Sequence, residues 1–205
     1  MRLPLEFFQR DAVTLAKDLL GKLLIREIDG EKLVGKIVET EAYMGPEDKA
    51  AHSYRNRRTE RTEAMFGRAG RAYIYFIYGM YYCLNVVAAK EGIPQGVLLR
   101  AVEPMEGIHL MKGYRRIKSK RIQELTNGPG KLCQALDIDK SLYGTDLVFG
   151  HSLYILDYHD EFEILSSKRI NIDYAEEYQD RLWRFYIKDN PFVSRMPSSF
   201  SQKNV

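Results

Sequence analysis

Cysteine is scarce: Cys83 and Cys133 are the only two in 205 residues. Two thiols cannot build a disulfide framework or a four-cysteine zinc site, which points to a reducing, intracellular compartment. The histidines, His52, His109, His151 and His159, show no ligand spacing with cysteine or carboxylates, and no His-Glu-x-x-His occurs. No metal and no other cofactor is therefore expected. Glycine-rich phosphate loops are missing too, because Gly67-Arg68-Ala69-Gly70-Arg71 fits neither nucleotide fingerprint. Met1-Arg2-Leu3-Pro4-Leu5-Glu6 is too polar and too short to begin a secretory signal. Residues 72–89 carry no formal charge and approach the ~18 residues of a membrane span. Their tyrosines, Gly79 and Asn85 would need polar partners in lipid, so no membrane association is expected.

Against these absences, a hydrophobic content of 45% and a charged content of 29% are globular values. They predict one domain over residues 1–205 with a proper core, and a flexible tail from about residue 196. The net charge of +3 is small, but it is unevenly spread. Arg55, Arg57, Arg58, Arg61, Arg68 and Arg71 cluster early, followed by Lys112, Arg115, Arg116, Lys118, Lys120 and Arg121. Acid collects after residue 156, which predicts one positive face able to bind a polyanion.

The aromatic residues concentrate in residues 72–85, Ala-Tyr-Ile-Tyr-Phe-Ile-Tyr-Gly-Met-Tyr-Tyr-Cys-Leu-Asn, which hold five of the 14 tyrosines. Strand-favouring residues around Gly79 predict two strands joined by a tight turn, with Tyr73 and Tyr75 on one face and Tyr78 and Tyr81 flanking the tip. Elsewhere, Asp11 predicts the N-cap of a helix over 12–20 that stops at Gly21. Asp29-Gly30 predicts a hairpin between strands 22–28 and 32–43. A short helix over 59–66 should end at Gly67, and a strand over 96–102 at Pro104. Residues 106–125 read as a helix interrupted by Gly113. The turn at Asn127-Gly128-Pro129-Gly130 leads into a helix over 131–136 whose free N–H groups suit a phosphate. Strands over 152–156, 162–165 and 183–187 complete the set. Local strand pairing without βαβ alternation predicts an α+β fold: a mainly antiparallel curved sheet, flanking helices and a protruding tyrosine-rich hairpin.

Chemistry concentrates in Lys36-Ile37-Val38-Glu39-Thr40-Glu41-Ala42-Tyr43. Strand periodicity places Glu39, Glu41 and Tyr43 on one face. Carboxylates in mid-strand are costly unless neutralised or used, for instance to activate water beside an aromatic wall. Arg100 interrupts an apolar strand and is a candidate partner for a buried Glu, while Asn85 is a polar residue among Leu84, Val86 and Val87. His52 follows two small alanines, Ala50 and Ala51, which would let backbone groups approach a flat ligand.

Taken in order, several segments resemble the alkyladenine (3-methyladenine) DNA glycosylase family. They are Val38-Glu39-Thr40-Glu41-Ala42-Tyr43, Ala50-Ala51-His52-Ser53, Met65-Phe66-Gly67, Tyr75-Phe76-Ile77-Tyr78-Gly79-Met80-Tyr81 and Cys83-Leu84-Asn85. Leu98-Leu99-Arg100-Ala101-Val102-Glu103-Pro104 and Gly128-Pro129-Gly130-Lys131-Leu132-Cys133-Gln134-Ala135-Leu136 continue the series. The resemblance implies a monofunctional base-excision enzyme that extrudes damaged purines from double-stranded DNA through the minor groove, acting as a monomer. By position, Tyr78 would wedge into the vacated space, and Tyr43, His52 and Tyr75 would sandwich the base beside the Ala50 backbone. Glu41 would deprotonate the attacking water, Arg100 would place it, and Asn85 would help reject normal guanine. Met80, Arg57, Arg61 and Lys131 would contact DNA. In a bacterium the enzyme would sit in the cytoplasm, on the nucleoid. Asn171 stands where the family leads us to expect Gly, and Glu60 and Thr62 alter the arginine-rich helix.

Three rival readings share these residues. Glu39 and Glu41, ~7 Å apart on one strand face, suit a two-carboxylate glycoside hydrolase. The tyrosines and arginines suit a non-catalytic stacking platform. Lys131 is the nearest amine for a glycosylase-lyase.

Overall fold

The computed structural model describes residues 1–117 and 119–194 and the backbone of Lys203 and Asn204. Lys118 of the second basic run, and the expected flexible tail apart from that backbone pair, lie outside the described residues. In chain order come helices α1 (Leu5–Phe8) and α2 (Ala12–Asp18) and strands β1 (Leu23–Ile28), β2 (Glu31–Tyr43), β3 (Ala72–Ile77), β4 (Tyr81–Ala88) and β5 (Gln95–Glu106). Helices α3 (Ile108–Arg115) and α4 (Pro129–Ala135) follow, then strands β6 (Leu153–Leu156), β7 (Ile164–Ser167), β8 (Arg184–Ile187) and β9 (Lys203–Asn204). Among the described residues all nine strands belong to one antiparallel sheet, so the α+β expectation holds.

Strand β2 organises that sheet. One of its edges pairs with β5 along most of its length. The other edge is divided: β1 takes its first half, from Leu23↔Lys36 to Ile28↔Glu31, and β8 takes Glu39, Thr40 and Glu41. Register shifts between Ile37 and Thr40 mark the handover, and such bulges re-aim side chains. The β1–β2 reversal uses Asp29 and Gly30 at φ 50° and 86°, as a two-residue turn with two left-handed positions requires. Helix α2 begins where Asp11 accepts from the Val13 and Thr14 N–H groups, satisfying otherwise orphaned donors. Its buried face, Ala12, Leu15 and Ala16, joins the main core, and the Thr40 hydroxyl donates to the Ala16 carbonyl at 2.8 Å.

Some sequence expectations require correction. Pro104 does not close its strand; β5 runs on to Glu106, with Pro104 opposite Gly35 beside a register shift, where a missing N–H is tolerated. Gly113 does not interrupt a helix but lies inside α3, which ends instead at Arg116, left-handed at φ 46°. Beyond it, Ile122–Leu125 is a separate 3-10 turn. The helix expected over 59–66 is reduced to a 3-10 turn at Glu63–Phe66.

The uncharged run over 72–89 is the β3–β4 hairpin, and among the described residues no helix is long and apolar enough to cross a membrane. Ile77 pairs with Tyr81, leaving Tyr78, Gly79 and Met80 as the loop, with Tyr78 and Gly79 left-handed at φ 55° and 66°. Tyr78 and Met80 are 70% and 60% exposed, whereas the Tyr81 ring turns inward. A Cβ on Gly130 would come within 2.8 Å of it, so glycine there lets α4 seat the hairpin base. Gly79 has open space around it, so its requirement is conformational alone. Gly79→Ala should therefore cost about 1 kcal/mol in urea denaturation. Gly79→Asn should cost less, because Asn visits the left-handed region more readily.

Candidate active site

A cleft of about 350 Å³, within the usual range of ligand pockets, opens between the hairpin and the loop that follows β2. Tyr43, Ala50, His52, Tyr75, Asn85 and Arg100 all line it, together with Tyr78 from the tip. Arg57 and Arg61 do not; they line an adjoining cleft with Lys49, Tyr54 and Tyr174. Met80 is exposed at the hairpin tip, and Lys131 hydrogen-bonds Asn127 Oδ1 at 2.7 Å on α4.

Glu41 is not part of the cleft wall. It is fully buried directly behind it, held by donors from three elements. The Tyr43 hydroxyl donates to Oε2 at 2.9 Å, the Ile170 N–H donates to Oε1 at 2.8 Å, and Arg100 Nη1 lies 3.3 Å from Oε1. All three of these donor residues line the cleft. Arg100 also donates through Nε to Glu39 Oε1 at 2.8 Å, so one guanidinium joins both carboxylates.

Glu39, in contrast, is saturated. Its Oε1 accepts from Arg100 Nε, Arg184 Nε at 2.7 Å and the Ser194 hydroxyl at 2.9 Å, and its Oε2 accepts from the Ser194 N–H at 2.6 Å. Burial pushes its pKa up, but Arg100 and Arg184 outweigh burial and the net shift is downward. Two arginines and both Ser194 donors thus engage Glu39, against one arginine and two neutral donors on Glu41, which weighs against a second catalytic carboxylate.

The loop carrying Ala50 and His52 hangs on Asp48. Asp48 and Arg169 are buried and bidentate, with Arg169 Nη1 and Nη2 donating at 2.6 and 2.9 Å. Asp48 also accepts from the Met44 and Ala50 N–H groups, while Arg169 donates to the Ala42 carbonyl and stacks 4.7 Å from the Tyr43 ring centroid. The same pair thus shapes the loop and braces one aromatic wall. On the opposite wall His52 Nδ1 and the Tyr73 hydroxyl share a hydrogen bond of 2.7 Å, and the His52 ring stands edge-on to Tyr75 at 4.6 Å. Burial, then the charges of Arg61 and Arg57, lower the His52 pKa to about 4, so the ring is neutral at pH 7. Burial raises the Tyr75 and Cys83 groups, Cys83 to about 11.

A family model for methylpurine-DNA glycosylase matches residues 6–191. This chain belongs to the methylpurine-DNA glycosylase family. A protein of Natranaerobius thermophilus, provisionally named 3-methyladenine DNA glycosylase, is 57% identical over 196 residues, covering 95% of this chain and 99% of its own. Relatives of the same provisional name from Alkaliphilus oremlandii and Desulfitobacterium hafniense are 54% and 52% identical, covering 95% and 94% of this chain and 100% and 98% of theirs. The chain is accordingly a DNA glycosylase, a hydrolase of N-glycosidic bonds in the repair of alkylated bases, with DNA as its substrate.

Within this glycosylase, sequence reasoning missed Asp48, Arg169, Arg184, Ser194 and Tyr73. The partner of Asp48 lies 121 residues away, beyond the reach of any local signal. Tyr73 was placed on the correct face without a role. Asn171, where glycine was expected, is left-handed at φ 59°, a conformation Asn accepts better than most residues. Among the described residues no group of three or more His, Cys, Asp or Glu is arranged to hold a metal ion.

Two measurements test the site's physics. Asp48→Ala leaves Arg169 buried without its carboxylate and should cost about 3–5 kcal/mol in chemical denaturation. For His52, the folded pKa lies below the unfolded one, so between pH 6.5 and about 4 the unfolded chain takes up a proton that the folded chain refuses. Stability present above pH 6.5 is lost as pH falls, by on the order of 3 kcal/mol. Thermal melts of wild type should show a steeper acid decline than those of His52→Gln.

Proposed function

We propose that this protein is a monofunctional glycosylase that flips alkylated or deaminated purines, 3-methyladenine and hypoxanthine among them, out of duplex DNA and hydrolyses their N-glycosidic bond. The observation that carries the reading is Glu41, a buried carboxylate whose donors Tyr43, Arg100 and Ile170 all line an aromatic cleft beside an exposed tyrosine tip. Tyr78 enters from the minor groove and fills the gap left by the extruded nucleotide, recovering part of the few kcal/mol spent on unstacking. The base stacks among Tyr43, Tyr75 and His52 beside the Ala50 backbone, while Asn85, which donates to the Tyr73 carbonyl at 3.2 Å, limits what fits. Arg57, Met80 and Lys131 hold the distorted DNA, with Arg61 in the same cleft as Arg57 but engaged with Tyr75.

Water attacks the sugar C1′ as the bond to the purine nitrogen breaks; its proton passes to Glu41 and the base departs, leaving an abasic site. Arg100 keeps the carboxylate oriented and draws part of its orientation from Glu39. A cationic alkylated purine departs as the neutral base, so a general base suffices for it; neutral hypoxanthine departs as its anion, which takes a proton from water. The cleft and the hairpin tip beside it are both built by one chain, which supports action as a monomer and one domain.

Single-turnover release from a duplex carrying one hypoxanthine or ethenoadenine, read by alkaline nicking, tests the assignment. Glu41→Gln should slow release about 10²- to 10⁴-fold with DNA binding retained. Tyr78→Ala should lose roughly tenfold or more through weaker extrusion. Undiminished release by Glu41→Gln would overturn the catalytic role, and binding without release from any damaged duplex would favour a non-catalytic reader.

A further inference from the structure

Both aromatic walls of the cleft carry a guanidinium, but only one is neutralised. Arg169 lies 4.7 Å from the Tyr43 ring centroid and is bidentate with Asp48, so that wall has no net charge. Arg61 lies 5.2 Å from the Tyr75 ring centroid and has no carboxylate within ion-pair distance among the described residues. Arg58 and Arg68 of the same stretch are paired, with Glu63 and Asp146. Arg57, also in the adjoining cleft, shares the unpaired state of Arg61 among the described residues, but only Arg61 stands over the Tyr75 ring. Arg61 lines the adjoining cleft, not the main one, so it can stay against Tyr75 while a base occupies the other side of the site. The Arg61 charge also reaches His52, where it opposes a second positive charge in the same wall.

We infer that Arg61 is a specificity-determining residue that discriminates substrates by charge, handicapping cationic purines relative to neutral ones. This inference rests on the proposed pocket. A ring face attracts a cation through its quadrupole, and a guanidinium already engaged with Tyr75 spends that attraction. A second cation stacked in the cleft would in addition meet the charge of Arg61 beyond the Tyr75 ring; Arg61 is itself exposed, so solvent screens part of that repulsion and the effect is a modest one. Methylation at N3 of adenine or N7 of guanine makes the nucleotide cationic, whereas hypoxanthine and ethenoadenine are neutral. The two classes differ in ring size as well as in charge, but Arg61, on the far side of Tyr75, acts on the charge.

The test is a ratio. Single-turnover rates with saturating enzyme are measured on duplexes carrying one 7-methylguanine and on duplexes carrying one ethenoadenine, for wild type, Arg61→Gln and Arg61→Lys. Arg61→Gln should raise the 7-methylguanine to ethenoadenine rate ratio by about two- to fivefold over wild type. Arg61→Lys, which keeps the charge, should hold the ratio near the wild-type value. Shape differences between the two bases cancel, because each ratio is compared with wild type on the same pair. If Arg61 serves only a DNA phosphate, both rates fall together and the unchanged ratio overturns the inference. Circular dichroism and melting of Arg61→Gln separate a folding defect, which also moves both rates together. Failure of wild type to release either base would sink the glycosylase reading itself, an outcome distinct from an unchanged ratio.

Discussion

The guanidinium of Arg100 is the interaction on which the rest of the site depends. Taking an ion out of water costs several kcal/mol, and here two carboxylates and two arginines are withdrawn together. The arrangement is tolerable because each charge is met by opposite charge and by directional hydrogen bonds from Ser194, Ile170 and Tyr43. Remove Arg100 and Glu39 would still hold Arg184, but Glu41 would be left with two neutral donors in a dry interior. The division of labour follows from this: Glu39 neutralises and anchors, and Glu41 is the carboxylate placed against the cleft.

The cluster sits where the sheet changes partners. Strand β2 exchanges β1 for β8 at Glu39, and the bulges there aim both glutamates inward toward β5 and Arg100. From the end of the same strand the chain enters the loop held by Asp48 and Arg169, and one turn of loop later presents Ala50 and His52. The wall that His52 packs into, with Tyr73 and Tyr75, comes from β3 and β4, and the base of that hairpin is seated on α4 through the close approach of Gly130 and Tyr81. Three elements distant in sequence thus converge on a single cleft, each fixed by its own buried polar anchor or close packing contact.

Much of this was legible because much of it is local. Asp29-Gly30 specifies a reversal, Asp11 a helix start, and alternating tyrosines around Gly79 a hairpin; each signal spans a few residues. The suspicion that Arg100 meets a buried glutamate was also readable, since a lone arginine in an apolar strand demands a partner. What stayed hidden was long-range. Nothing near Asp48 announces Arg169, and nothing near Glu39 announces Arg184 or Ser194, 145 and 155 residues away. Pro104 and Gly113 misled for a different reason. Their local preferences are weak enough to be overruled by a bulge and by helix packing.

The thiol of Cys83 has a bearing on survival under the damage this family repairs. It lines the cleft beside Tyr75, where any small electrophile that enters would meet it. Burial holds its pKa near the value of about 11, so at neutral pH about one molecule in ten thousand carries the reactive thiolate. An enzyme working among methylating agents thus keeps sulfur in its own binding pocket in the form least open to methylation. The burial that shapes these aromatic walls is the same burial that keeps the thiol protonated.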